Sequence, residues 1–139
     1  MKINQDISAF LLRLALSTGF LSAVASRLGF WGKYSSGWSN FVSYTAQVNS
    51  FVPKNLAPSI AVASTMLETV LGILLLIGYK TNYAAVVAAL LTLLFAIAMA
   101  VSAGIKEPFD YSVFAFSAGA LLLAAMPYHK WSIDNLLIK

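Results

Sequence analysis

The chain has 139 residues, enough for one domain, taken here as residues 1–139, and 60% of them are hydrophobic while only 10% are charged. A mean hydropathy of +0.80 excludes an ordinary soluble domain, which would have to leave much of that apolar surface in water. The net charge of +4 is nine basic against five acidic residues, and the basic ones form no run, so they read as interfacial anchors, not as a nucleic-acid surface.

The first apolar stretch, Ile7 to Gly29, is close to the roughly 20 residues a helix needs to cross the hydrocarbon core. Lys2 followed by apolar residues and "AVAS" (Ala23 to Ser26) mimics a secretory signal. Arg13, inside what would be its apolar core, argues against that reading. Ala15, Gly19 and Ala23 recur every four residues and offer a neighbouring helix a close approach.

A long connection, Phe30 to Leu56, follows. Within it Trp38, Phe41, Tyr44 or Thr45, and Val48 fall at helical spacing, with polar residues mostly between them. The spacing predicts a short amphipathic helix over about 36–49. It would lie in the interface or form a lid over a pocket, with Trp38, Phe41 and Tyr44 as the lid's inner face. Pro53 and Pro58 end this excursion.

Three further spans are predicted, at about 57–78, 83–104 and 109–127. None shows the period-2 alternation of a barrel strand, so the fold class is all-α: an integral membrane four-helix bundle with a short interfacial helix between its first and second spans. "GYKTN" (Gly78 to Asn82) reads as a tight turn, and "GIKEPFD" (Gly104 to Asp110) closes the third span and opens the fourth. The third span carries Ala84, Ala88, Thr92, Ala96, Ala100 and Gly104 every four residues, and the fourth has Ala115 and Gly119. In the tail, "YHKWSIDNLLIK" offers Ser132 as the N-cap of a final short helix, with Tyr128, Lys130 and Trp131 at headgroup level. Four spans put both termini on one side. Lys2, Lys80, Lys130 and Lys139 would lie with the termini and Arg27, Lys33, Lys54 and Lys106 opposite, so basic charge does not orient the bundle.

The chemistry sits in "STMLETVLGILLLIG", where Glu68 interrupts an apolar run. A charge at the bilayer centre costs about 2.5–3.5 kcal/mol and demands a partner. Ser64, Thr65 and Gly72 share the face of Glu68, which directs that face into the bundle. Arg13 is the only other ionisable group deep in a predicted span. With Ile7 and Gly78 at one level, Arg13 and Glu68 differ in depth by about 6 Å, within reach of an arginine. The expected site is therefore an Arg13–Glu68 pair with Ser17, Ser64 and Thr65 as further hydrogen-bonding groups. It would serve as a ligand or proton site or fix the register of the helices.

Nearly the whole chain resembles the DoxX family of small four-helix membrane proteins. The resemblance rests on "LLRLALSTGFLSAVASRLGFW", on "MLETVLGILLLIGYKTNYAA" and on "MPYHKWSIDNLL". It implies a bacterial inner-membrane location, cytoplasmic termini, and Arg13 and Glu68 at motif positions. It also implies a role as subunit or accessory of a membrane oxidoreductase complex that is linked to quinone. The residues themselves supply no nucleophile–base constellation, so catalytic residues are not assigned. His129 alone cannot provide bis-histidine haem ligation, and without cysteine there is no thiolate-held cluster, disulfide or dithiol chemistry, so no metal site is expected. Redox work would need a diffusible cofactor such as quinone, or partner subunits. The other reading is a non-enzymatic module that binds a lipid or small solute or assists membrane-protein assembly. The alanine and glycine stripes suit internal packing and homo-oligomer contacts alike.

Overall fold

The computed structural model describes residues 4–138, which leaves Lys2 and Lys139, two of the expected interfacial anchors, outside the described residues. Seven α-helices follow in order: α1 (Gln5–Arg27), α2 (Trp38–Val48), α3 (Ala57–Ile77), α4 (Thr81–Ala103), α5 (Lys106–Asp110), α6 (Val113–Ala124) and α7 (Ile133–Leu137). Among the described residues three helices are long and apolar enough to cross a membrane: α1, α3 with the short turn before it, and α4.

The ends of α1 carry their own signals. The Asn4 side chain accepts from the Asp6 amide at 3.0 Å, and Asp6 and Arg27 complement the helix dipole at its two ends. The helix α3 stops at Gly78, whose φ of +69° is left-handed and lets the Gly78 and Tyr79 amides return to the Leu74 carbonyl. A single left-handed residue, Lys80, then starts α4.

The expected fourth span is not one continuous helix. The segment breaks at Tyr111 and Ser112, where Ser112 adopts a φ of +55°, and resumes as α6 for only 12 residues. At 1.5 Å per residue α6 is about 18 Å long, well short of the roughly 30 Å hydrocarbon core. Ahead of the break, Pro108 is buried inside the short α5 and does not open the span. Behind α6, Pro127 cannot continue the helix, which ends at Ala124.

Helix α1 packs against α3, and α4 against α6; contacts of α3 with α4 and of α1 with α6 close the ring. Leu16 and Phe20 of α1, Leu71 and Leu75 of α3, Ala84, Ala85 and Ala88 of α4, and Ala120 and Leu123 of α6 meet in the middle. Lipid tails are as apolar as these side chains, so close contact, not water exclusion, selects the arrangement. The α4 stripe is buried from Ala84 to Ala96, half-buried at Ala100, and exposed by Gly104, so it serves less than the full depth expected. At the α4–α6 contact the Ser117 hydroxyl donates to the Ala89 carbonyl at 2.8 Å. Gly19 receives the Phe116 ring of α6, which a Cβ would approach to 2.8 Å. Ala15 and Ala115, by contrast, are exposed and lie outside these contacts.

Candidate functional site

The register of α1 against α3 decides which charges meet. Gly72 is the small residue that admits Phe20 and Leu21, since a Cβ there would stand 2.8 Å from Leu21 Cγ. Further along, Gly78 lies against the Arg13 guanidinium. Arg13, not Ile7, is therefore level with the end of α3. That is an offset of six residues, or about 9 Å, from the expected alignment.

This offset overturns the Arg13–Glu68 pairing. Arg27, in the last turn of α1, takes Glu68 instead. Its two terminal nitrogens reach the two carboxylate oxygens at 2.8 Å (Nη1–Oε2) and 3.1 Å (Nη2–Oε1), a fork that suits a carboxylate. Nη1 also donates to Thr65 Oγ1 at 3.1 Å. Both charged side chains are enclosed, at 12% exposure for Arg27 and 3% for Glu68. Helical side chains lean toward the N-terminus of their own helix, so in an antiparallel pair each of these reaches toward the other.

The roof comes from α2. The Phe41 ring lies over the Arg27 guanidinium, 3.8 Å from its centroid, with Trp38 alongside at 5.9 Å between rings. A cation over an aromatic face is stabilised by about 0.5–2 kcal/mol, more as water is excluded. Tyr44, the third expected lid residue, faces elsewhere: its hydroxyl meets Glu107 of α5 at 3.4 Å and its ring neighbours Tyr111. Burial, with Glu107 and Tyr111 adding to it, pushes the Tyr44 phenol up to about 12, so it remains a neutral hydrogen-bond donor. Ser50 and Ser102 complete the attachment, since the Ser102 hydroxyl donates to Val48 O while Ser50 bonds it.

Of the five residues expected in the intramembrane site, the structure brings together Glu68 and Thr65. Ser64 is buried beside them, but its hydroxyl returns to the Ala61 carbonyl, and that of Ser17 returns to Leu14. Arg13 belongs to a second cluster about 15 Å further along α3. There Nη2 donates to the Trp131 carbonyl at 2.5 Å, and the ring of Trp131 stands edge-on to Phe10. Asp134 of α7 accepts the Lys80 amide at 2.6 Å and the Thr81 amide at 2.7 Å, while its own amide donates to Gly78 O at 2.9 Å. The tail thus satisfies the first free amides of α4 and the end of α3 at once. Ser132 caps α7 as its position predicts, accepting from the Asn135 amide at 3.2 Å. Lys130 pairs with Asp6 at 2.6 Å. The stretches "GYKTN" and "SIDNLL" are therefore two halves of one contact.

Two groups make that contact sensitive to acid. Burial would raise the Asp134 carboxyl, but Thr81 and the Lys80 amide outweigh it and hold the group below its ordinary 3.8. Burial keeps His129 below its ordinary 6.5, with Asp134 opposing and Arg13 reinforcing the shift. In both cases the unfolded tail binds protons more readily than the docked one. The stability they contribute is complete above pH 6.5, falls as pH drops through the lowered histidine value, and falls again below 3.8. Protection factors of the tail amides, each taken against the intrinsic exchange rate at its own pH, are expected to be lower at pH 5 than at pH 7.5, while those of mid-α4 are unchanged. Equal tail protection at both values would contradict this.

Sequence reasoning missed Arg27, placing it among the flanking anchors. The signal that finds it is the register, set by Gly72 against two bulky residues, which puts Thr65 and not Ala57 level with the end of α1. Taken together, the fold and site define a helical membrane protein with, among the described residues, one arginine–glutamate pair enclosed between α1 and α3. The family model described as "Methylamine utilisation protein MauE" matches residues 5–110, and the chain belongs to that family. No match is found among curated proteins or solved structures.

Proposed function

We propose that this protein is a membrane accessory of an oxidoreductase system serving methylamine utilisation, and that it works by holding and presenting, without carrying the reaction itself. The family description supports the process. The observation that carries the accessory role is the enclosure of the site. The fork of Arg27 is taken up by Glu68 and Thr65 and its face by Phe41, so the polar groups satisfy one another and tie α1, α2 and α3 together. The finer form of this reading follows the DoxX resemblance: a subunit of a bacterial inner-membrane complex with cytoplasmic termini, oxidoreductase partners and contact with quinone. A quinone carbonyl could take an Arg27 donor once Phe41 swings aside, which gives α2 its role as lid.

The test is genetic. In a host that grows on methylamine, deletion of the gene is expected to abolish that growth and to spare growth on succinate with ammonium. Wild-type protein should restore it, and Glu68→Gln, which halves the fork, should restore it only in part. Unimpaired growth of the deletion strain on methylamine would sink the proposal. For the finer form, a photoreactive quinone should label residues of α1, α2 or α3 near Arg27; no labelling there removes quinone from the reading.

A further inference from the structure

Independently of that reading, the depth of α2 creates a requirement that the single chain leaves unmet. Tyr128 and Trp131, exposed in the tail that docks on Gly78, mark one headgroup level. From Gly78, about 30 Å of hydrocarbon takes about 20 residues of α3 and reaches Pro58. Thr65, which bonds Arg27 at the end of α1, therefore lies about 10 Å inside the opposite edge. Helix α2 starts at that level: the Gly37 amide donates to Ser26 O at 3.2 Å, and Phe41 covers Arg27. From there it climbs to the end of α4, where Val48 O accepts from Ser102. We propose that the outward face of α2 is the contact through which two copies of this chain associate within the membrane.

At this depth α3 shows lipid the side chains of Val62, Met66 and Leu67. The outward face of α2 shows Ser39, Asn40, Ser43 and Gln47 instead, all exposed and at helical spacing. Among the described residues only Asn40 of these four makes a side-chain hydrogen bond, to Ser36 O at 2.8 Å. Polar side chains facing acyl chains call for partners, and hydroxyls and amides join helices in lipid by hydrogen bonds across the contact. Nor does the face suit the headgroup layer. A helix lying there carries Lys or Arg on its polar side, and α2 has no charged residue.

The loop before α2 adds a second reason. The Phe30 amide bonds Ala25 O and Trp31 Nε1 bonds Ser22 O, so this stretch stays level with the last turns of α1. Irregular backbone at such a depth persists only where protein or a water-filled cavity covers it. Phe30, Trp31 and Tyr34 are exposed there, and large aromatics are the side chains that anchor protein interfaces. Lys33, the loop's one cation, lies over the Tyr34 ring at 5.0 Å, on a stem that extends toward the headgroups. A second copy is the occupant this chemistry selects. Serine, asparagine and glutamine each donate and accept, so the uncharged face is complementary to itself. Two chains inserted alike are related by a two-fold axis along the membrane normal, and their α2 helices cross near Ser43, in the middle of the stripe.

The chain contains no cysteine, so single cysteines report contacts without background. Ser43→Cys, oxidised with copper phenanthroline in the membranes of expressing cells, should give a disulfide-linked dimer of this chain. Leu90→Cys, exposed on the lipid side of α4, should give none above background, because its thiols do not come within bonding range. In vesicles, Förster transfer between donor- and acceptor-labelled chains, tagged at Leu137→Cys in the tail, reads the dissociation constant. Ser43→Ala with Gln47→Leu should raise it about tenfold, the scale of two interhelical hydrogen bonds. Both positions are exposed in the single chain, so the core is untouched. Absence of the Ser43→Cys dimer, equal cross-linking at Leu90→Cys, or an unaltered constant in the double variant would overturn the proposal. A Ser43→Cys adduct with another protein in place of the dimer would overturn the choice of a second copy.

Discussion

Glu68→Leu is expected to lower the thermal midpoint of the purified protein sharply, on the scale of about 3–5 kcal/mol, because it strands the Arg27 charge inside the bundle. The companion variant carrying Arg27→Met as well should recover most of that loss, since two apolar side chains then fill the space of the pair. Tryptophan fluorescence during heating reads both, and the double-mutant cycle isolates the coupling. A double variant whose loss equals the sum of the two single losses would mean the fork contributes nothing. Arg13 supplies the control. Glu68→Leu combined with Arg13→Met should be additive within about 0.5 kcal/mol, because some 15 Å of α3 separates the two positions.

Gly78→Ala is the second substitution with a large expected effect. The left-handed backbone alone costs an alanine about 1–2 kcal/mol. The added methyl would also overlap Ser132 Cβ and come to 2.6 Å from Arg13 Nη1, forcing the tail from its seat. Gly32→Ala separates the two effects, since Gly32 also has a positive φ, +56°, but no atom lies within 4 Å of a Cβ there. Gly78→Ala should therefore be the more destabilised of the two, and trypsin should cleave it faster after Lys130. Equal stability and equal cleavage would show that the tail does not rest on that glycine.

How much of this was legible in the sequence depends on which physical quantity is asked for. Hydropathy places α1, α3 and α4 because lipid solvation acts residue by residue. The aromatic spacing places α2 for the same local reason, and Ser132 announces α7 because capping spans only three residues. The pairing of charges is another kind of quantity. It depends on the axial shift between two helices, and the shift is set where Gly72 admits Phe20 and Leu21, a contact with no signature within either helix. Glu68 announces its need for a partner inside the bundle, but Arg13 qualifies as that partner only where the helix ends lie flush. The broken fourth segment differs: Phe109 and Tyr111 read as apolar span, while the left-handed φ of +55° at Ser112 leaves no trace in hydropathy. Asp134 escaped notice because its partners are backbone amides, which no side-chain pattern reveals.

The shifted alignment of α1 and α3 shapes the two faces of the molecule differently. Because α1 stops level with Thr65, the opening turns of α3 stand above it as a ledge, and α2 fills the step beside them. A visitor arriving on that side touches α2 first, and any displacement of it lifts the aromatic cover from a positive charge. On the opposite side the same offset makes α1 the taller member, braced by Lys130 and Trp131. The bundle thus has one end covered by a separate helix and another where the tail ties the helix ends together.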